Sequence, residues 1–217
     1  MISVSDARAA LFDLVFPLPT EDVSLIQASG RVLAEPVAAK RNQPPFAASS
    51  MDGYALKVTE VERDAMFKVI GEAAAGHGFA GTVGPGQTVR IFTGAPIPEG
   101  ADFVVIQEDI TRSGNLVTIT EDPGEKNNIR PAGGDFLIGS ELSAPRILAP
   151  QDIALLASMN VAMVPVTRKP VVALLATGDE LVMPGETPGP DQIIASNSFG
   201  LKVMLENLGA SARLLPI

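Results

Sequence analysis

A short segment with three oxygen-bearing side chains carries the first chemical signal in the sequence. Ser49, Ser50 and Asp52 lie within four residues, and Gly53 follows Asp52 directly. Asp-Gly favours a tight turn, so we expect the two hydroxyls and the carboxylate to converge there. An ordinary Asx turn with a satisfied serine is the alternative. Because Tyr54, the only tyrosine of the chain, comes next, we favour a turn with a binding or catalytic role.

Two further segments place polar groups beside glycines. RIFTGAPIPEGAD, residues 90–102, ends a predicted strand at Thr93 and Gly94, where a hydroxyl adjoins a main chain that a ligand can approach. The alternative is a turn stabilised by prolines. NIRPAGGD, residues 128–135, combines a guanidinium, two glycines and a carboxylate. Arg130 can grip an oxyanion with two parallel hydrogen bonds, or the segment is a salt-bridged hairpin.

A continuous apolar run, Val171–Ala176, is typical of a strand buried on both faces in a parallel sheet. TGDEL follows, so Asp179 and Glu180 lie at the carboxyl end of this strand, where open α/β sheets bind ligands. Either carboxylate can hold a divalent cation, and we favour Glu180; a charged loop is the alternative. Ser196 and Asn197 begin a predicted helix. At this position they could bind an anion, but capping of the helix alone explains them, and we favour capping.

The elements that position these groups differ along the chain. Helical spacing predicts helices over Ser3–Phe16, Ile26–Leu33, Pro150–Asn160 and Asn197–Leu208. Between the second and third helices, short strands separated by turn signals indicate a small barrel or sandwich. These strands are Tyr54–Val58, Phe67–Glu72, Thr88–Phe92, Phe103–Ile106 and Leu116–Ile119. The predicted buried face of the last helix consists of Leu201, Met204, Leu205 and Leu208.

The predicted fold class is multi-domain, α+β and α/β. Residues 1–37 and 141–168 form a discontinuous helical, elongated domain, into which a β-rich, barrel-like domain of residues 38–140 is inserted. Residues 169–217 start a doubly wound parallel α/β domain. Because a single βα unit cannot cover a parallel sheet, we expect the chain to be a fragment of a longer protein.

The composition excludes several classes of protein. The net charge of −9, the absence of Trp and the single Tyr argue against nucleic-acid binding. No Cys, one His and no apolar run of membrane length argue against disulfides, thiolate or His-rich metal sites, and a membrane anchor. With 46% hydrophobic residues the chain can bury a core, and we expect a cytoplasmic globular protein.

Four segments in this order and spacing, SSMDGYA, RIFTGAPIPEGAD, NIRPAGGD and ATGDEL, resemble the molybdopterin molybdenumtransferases, the MoeA-type enzymes related to the E domain of gephyrin. The resemblance covers essentially the whole chain. It implies a transferase of molybdenum cofactor biosynthesis that inserts molybdate into adenylylated molybdopterin, with Mg²⁺ assistance and release of AMP. It also implies a homodimer with its site at the subunit interface, and the molybdopterin-adenylylating enzyme as a further partner.

The resemblance also implies roles for particular residues. The catalytic set would be Asp52, Thr93, Asp135 and Glu180. The substrate-binding set would be Ser50, Gly94, Arg130 and Asn197. The metal would be held by Glu180, with Asp179 as a weaker candidate.

Relatives of this type continue beyond the residues present here, so we expect these 217 residues alone to be inactive. The rival interpretation is a non-catalytic scaffold, a dimerising or partner-binding module whose motifs serve as structural turns. A nucleotide hydrolase that acts without a pterin is a third alternative. The choice between molybdenum and tungsten stays open.

Overall fold

A computed structural model describes residues 2–216, which divide into two compact units. The terminal unit comprises residues 2–37, 141–157 and 161–216, and the central unit comprises residues 38–140 and 158–160. Met1 and Ile217, which the predicted first and last domains include, lie outside the described residues. A separate domain of residues 169–217 stays a prediction.

Within residues 2–216 the α-helices are α1 (Val4–Asp13), α2 (Pro150–Ser158) and α3 (Asn197–Asn207). The strands of the same residues are β1 (Thr20–Ser24), β2 (Val32–Leu33), β3 (Val37–Ala38), β4 (Ala48–Ser49), β5 (Gly53–Leu56), β6 (Met66–Ala73), β7 (Gln87–Ile91), β8 (Phe103–Ile106), β9 (Ile110–Ser113), β10 (Leu116–Ile119), β11 (Ile129–Arg130), β12 (Glu141–Leu142), β13 (Arg146–Ile147), β14 (Met163–Thr167), β15 (Val171–Leu174), β16 (Leu181–Val182), β17 (Ile193–Ile194) and β18 (Ser211–Leu214).

The central unit is built on a six-stranded sheet in the order β8-β5-β7-β6-β10-β9. Its neighbours are antiparallel except β6 and β7, which run parallel. β5 is buried along its whole length, because alternate side chains enter two hydrophobic clusters, Tyr54 and Leu56 in one and Ala55 in the other. A shift by one residue would exchange these faces, so the alternation fixes the register.

The strands predicted for this unit are largely confirmed. β8 and β10 have the predicted bounds, and β5, β6 and β7 differ by one or two residues. β9 was not predicted, because its polar residues hide the alternation. It lies at the sheet edge, and among the strands of residues 2–216 it pairs with β10 alone. The barrel-like closure of the sheet stays a prediction.

The terminal unit contains a four-stranded antiparallel sheet in the order β1-β14-β2-β13. The predicted helix over Ile26–Leu33 is wrong, because Leu25–Gln27 form a short 3₁₀ helix and β2 follows. Leu33 is fully buried in the sheet, whereas Ile26 is 87% exposed. Leu33 is therefore buried by strand pairing and not by a helix. In so short a segment, the spacing of the apolar residues fits a helix and a strand equally well.

The predicted helix at Pro150 is confirmed as α2. Proline suits the first helical position, where its missing N–H leaves no lost hydrogen bond. The buried Asp152 accepts a hydrogen bond from the backbone N–H of Ala149 at 2.9 Å and forms an ion pair with Arg146 at 3.0 Å. These contacts fix the start of the helix.

Residues 169–216 contain two parallel strand pairs, β15 with β18 and β16 with β17, and α3 precedes β18. The strand and the helix are confirmed, and Gly209 ends the helix at φ +91°. Their predicted burial is wrong: Val171 is 60% exposed, and Leu201, Met204 and Leu208 of the predicted buried face are exposed too. Within residues 2–216 β15 pairs with one strand only, so its faces stay uncovered.

The first helix, α1, begins as predicted, since Ser3 Oγ accepts a hydrogen bond from the N–H of Asp6 at 3.1 Å. It ends at Asp13, earlier than the predicted Phe16, and none of its residues is buried. Its apolar side chains, Phe12 among them, are therefore exposed. Among the described residues, no helix combines the length and the apolar character that a membrane crossing needs.

Candidate functional site

The carboxylate of Asp52 is held by Thr93. The pairing of β5 with β7 brings these two residues next to each other. The backbone N–H of Thr93 donates to Oδ1 at 2.8 Å, and the Thr93 hydroxyl donates to the same oxygen at 2.9 Å. These bonds lower the pKa of Asp52 below its ordinary value of 3.8, and the charge of Arg90 adds to them while burial opposes them. Asp52 is thus ionised at neutral pH, and within residues 2–216 its Oδ2 accepts no hydrogen bond.

The main chain on both sides of the Asp-Gly step is fixed by the sheet. The carbonyl oxygen of Asp52 accepts a hydrogen bond from the N–H of Gln107 at 3.0 Å. Gly53 lies opposite Ile106 of β8, and a Cβ at Gly53 would be 2.0 Å from the carbonyl oxygen of Val105. Only glycine therefore lets β8 approach β5 this closely, and the close approach places the Asp52 turn.

The two serines of the motif have different surroundings. Ser49 is 1% exposed, and its hydroxyl donates to the carbonyl oxygen of Met51 at 2.6 Å. For Ser49 the alternative interpretation therefore holds, because its hydroxyl is used in a hydrogen bond within the turn. Ser50 is half-buried and lines a cleft of the central unit.

This cleft, about 430 Å³ in volume, gathers four of the predicted residues, Ser50, Thr93, Gly94 and Arg130. Gly94 adopts φ +83°, and its N–H donates to the carbonyl oxygen of Ser49 at 2.9 Å. Glycine adopts this positive φ without strain, so Gly94 allows the turn that places Thr93 in the wall of the cleft. The structure therefore brings the first two motifs and Arg130 together.

Arg130 and Asp135 form an ion pair on this side of the unit. The Arg130 Nη2 atom lies 2.7 Å from Asp135 Oδ1, and the two side chains are 55% and 46% exposed. The salt-bridged alternative for this segment is thereby confirmed as a contact. Because an exposed pair contributes only about 0–1 kcal/mol, Arg130 can exchange Asp135 for a ligand oxyanion at little cost.

Asp179 and Glu180 lie in the terminal unit, in the turn after β15. The N–H of Leu181 donates to the carbonyl oxygen of Gly178 at 3.1 Å, which closes the turn. The Glu180 carboxylate lies against Gly178, where a Cβ would be 2.3 Å from Oε2. Both carboxylates are exposed, and within residues 2–216 neither has a hydrogen bond or an ion pair.

A second cleft, about 300 Å³ in volume, lies at the start of α3 in the terminal unit. Thr177, Ser196 and Asn197 are among the polar residues that line it, whereas Asp179 and Glu180 are not. Ser196 makes no side-chain capping hydrogen bond, so the capping explanation preferred from sequence is wrong for this residue. The first turn of a helix favours anions, and Asn197 stands in it.

In the described part of the chain, the carboxylates that could bind a metal ion do not form a cluster. Over residues 2–216 there is no group of three or more His, Cys, Asp or Glu side chains placed to hold an ion. A metal would need further ligands from substrate or water.

One contributor to the Asp52 turn was missed from sequence, Arg90. Its guanidinium reaches the carbonyl oxygen of Gly53 and lies over the rings of Tyr54 and Phe92. No strong signal for it was present in the sequence, because Arg90 lies between Val89 and Ile91, where the alternation of a half-buried strand already allows a polar residue.

Comparison with known proteins defines the class to which this fold and these motifs belong. Residues 2–160 match the family described as the MoeA N-terminal region (domain I and II). The chain belongs to this family, which confirms the resemblance seen in the four motifs.

Individual relatives agree with this assignment. The chain is similar to a molybdopterin molybdenumtransferase of Haemophilus influenzae, at 37% identity over 211 residues, 96% of this chain and 52% of the relative. It is 37% identical over 209 residues to the Bacillus subtilis protein of the same name, covering 88% and 47%. A crystal structure of the molybdopterin biosynthesis MoeA protein from Pyrococcus horikoshii OT3 superimposes with a TM-score of 0.87 at 30% identity, covering 100% of this chain and 59% of the other. The chain spans about half the length of the curated relatives it matches.

Proposed function

We propose that the whole protein containing this chain is a molybdopterin molybdenumtransferase of the cytoplasm. It would insert molybdate into molybdopterin, with adenylylated molybdopterin as substrate and AMP as the released product. The observation that carries this proposal is the ionised Asp52, held by Thr93 beside a cleft that also presents Arg130. Relatives named for this activity support it.

Each of the two units offers polar groups that suit an anionic ligand. Arg130 would hold an oxyanion of the substrate, with Ser50 and the Gly94 main chain beside it. Asn197, at the start of α3, would contact an anionic group in the other cleft. The net charge of −9 opposes long-range attraction of an anionic substrate, so these contacts must act locally.

Asp52 would bind and orient a ligand through its carboxylate and would not act as a proton acceptor. In the reaction, water adds to one phosphorus atom of the pyrophosphate link and the bridging P–O bond breaks. AMP leaves, the other phosphate stays on molybdopterin, and the protons of the water go to solvent. A carboxylate whose pKa is lowered is a weak base at neutral pH. Thr93 keeps Asp52 ionised through Oδ1, which leaves Oδ2 for a ligand. Asp135 would set the position of Arg130.

Mg²⁺ fits the donor chemistry as a site that the substrate completes. Mg²⁺ commonly takes one or two protein carboxylates and fills its remaining positions with water and substrate phosphates. The unpartnered carboxylate of Glu180, with Asp179 as the weaker candidate, supplies suitable oxygens. When bound, the ion would neutralise negative charge on the phosphate oxygens.

We further propose that the protein is a homodimer whose site lies at the subunit interface and that it receives substrate from the molybdopterin-adenylylating enzyme. The exposed apolar side chains of α1, including Phe12 at 69%, are suited to burial against another copy. This surface is also the observation that favours the rival function, a dimerising scaffold without catalysis.

One experiment separates the two functions in the full-length protein. Asp52→Asn and Glu180→Gln keep the shapes of the side chains, and each should lower AMP release from adenylylated molybdopterin by at least about tenfold while the dimer mass by light scattering stays unchanged. Asp122→Asn, an equal charge change in an exposed turn, is the control. Unchanged AMP release in both variants, or loss of the dimer alone, would support the scaffold.

A further inference from the structure

Arg90 lies beneath the Asp52 turn on β7, a strand in the interior of the six-stranded sheet. Its Nη1 donates to the carbonyl oxygen of Gly53 at 3.2 Å, and its Nη2 donates to Oε1 of Gln107 at 2.6 Å. Gln107 in turn donates its backbone N–H to the carbonyl oxygen of Asp52 at 3.0 Å. The guanidinium therefore connects directly or through one residue to two successive carbonyl groups of the turn.

Two aromatic rings lie close to this guanidinium. Its central carbon lies 5.0 Å from the centre of the Tyr54 ring and 4.8 Å from that of Phe92. Both distances are within the range of cation–π attraction. With rings at two sides and hydrogen bonds at two nitrogens, the Arg90 side chain has little freedom to reorient.

The positive charge of Arg90 is the remaining feature to account for. Arg90 is half-buried, and within residues 2–216 it has no ion pair. Other carboxylates on adjoining elements are Glu72, opposite Arg90 on β6, and Glu108, which accepts a hydrogen bond from Gln107. The charge of Arg90 does act on Asp52, where it adds to the effect of Thr93.

We propose that Arg90 is a positioning residue, which fixes the main chain at Asp52–Gly53 so that the carboxylate keeps its two hydrogen bonds from Thr93, a residue that lines the cleft. This inference rests on the proposed function, because it assigns Arg90 a part in the same reaction. Thr93 holds the Asp52 carboxylate, and Arg90 holds the backbone at Gly53. Neither group substitutes for the other, since they contact different atoms.

Three variants of the full-length protein test this role. Arg90→Met removes the charge and the donors but keeps an unbranched apolar stem. Arg90→Lys keeps the charge but loses the planar fork that reaches two acceptors at once. Arg112→Met removes an equal charge from the edge strand β9 and serves as control. Among residues 2–216, the Arg112 side chain donates only to the carbonyl oxygen of Gly114.

Activity and titration are measured together. For Arg90→Met we expect kcat for AMP release to fall about 10- to 100-fold, with a smaller change in KM, and the pKa of Asp52 to rise in a ¹³C carboxyl titration. For Arg90→Lys we expect the Asp52 pKa to stay low while kcat falls by a smaller factor than in Arg90→Met. Arg112→Met should match the wild type in all three quantities.

The titration keeps the inference testable apart from the proposed function. If the wild type releases no AMP, the proposed function fails, but the pKa of Asp52 and the amide shifts of residues 52–54 still report whether Arg90 places the turn. Unchanged kcat in a folded Arg90→Met protein would overturn the proposal. If Arg90→Met does not fold, Arg90→Lys decides: wild-type kcat overturns the proposal, and a lowered kcat with a normal unfolding transition supports it.

Discussion

Replacement of Gly53 by alanine is the sharpest test of how the fold places Asp52. A Cβ at this position would lie 2.0 Å from the Val105 carbonyl oxygen, whereas real Cβ contacts are essentially never under 3.0 Å. β5 and β8 must therefore separate by about 1 Å, which is the difference between those two distances. The obstacle is backbone in the sheet, so no side-chain rotation relieves it.

The size of the effect follows from two contributions. Overpacking a well-packed site costs about 1–3 kcal/mol, and loss of one or two ladder hydrogen bonds between β5 and β8 costs about 1 kcal/mol each. We expect Gly53→Ala to lower the free energy of unfolding of the central unit by about 2–5 kcal/mol. For a domain of about 100 residues, that corresponds to a fall in Tm of at least roughly 8 °C.

The chain supplies its own probe for this measurement. It has no Trp and one Tyr, and Tyr54 is the residue next to Gly53, buried in the same strand. Tyrosine fluorescence during urea or thermal unfolding thus reports on the central unit. Gly200→Ala on α3, where a Cβ meets nothing within 4 Å, should leave the Tyr54 transition unchanged or slightly raised. An unshifted transition in Gly53→Ala would refute the steric argument.

Two other substitutions have calculable outcomes. Thr93→Val removes one of the two donors to the Asp52 carboxylate, so the pKa of Asp52 should rise toward 3.8 in a ¹³C titration. Since a lowered pKa gives stability that is present above the unfolded value and lost as pH falls through the folded value, the variant should lose stability at a higher pH in acid unfolding. Asp152→Ala should destabilise the protein by about 2–3 kcal/mol in urea unfolding, because it leaves the Ala149 N–H unsatisfied and Arg146 unpaired. Asp152→Asn should cost less, and equal losses for both variants would contradict this account.

Local signals predicted a large part of the secondary structure. β8 and β10 were bounded correctly because alternating or continuous β-branched residues lie between turn residues, and α2 was found because Pro150 suits a helix start. The segment at Ile26–Leu33 was misassigned because apolar spacing over eight residues fits a helix and a strand alike. The burial of α3 was overestimated because periodicity shows which face is apolar, whereas burial needs a partner element.

The sequence by itself determined the chemical groups of the site, because side-chain type is a local property. It also determined the family, through four motifs in order. The tight Asp-Gly turn expected from sequence is not formed at the glycine, since residues 50–52 bend and Gly53 is already the first residue of β5. Only the tertiary structure decided that Thr93, 41 residues from Asp52, donates twice to its carboxylate. The same holds for Arg90, which reaches Gly53 from 37 residues away. Such contacts arise from strand order and register in the sheet, and these depend on how distant strands share the two hydrophobic clusters rather than on any residue's neighbours in the chain.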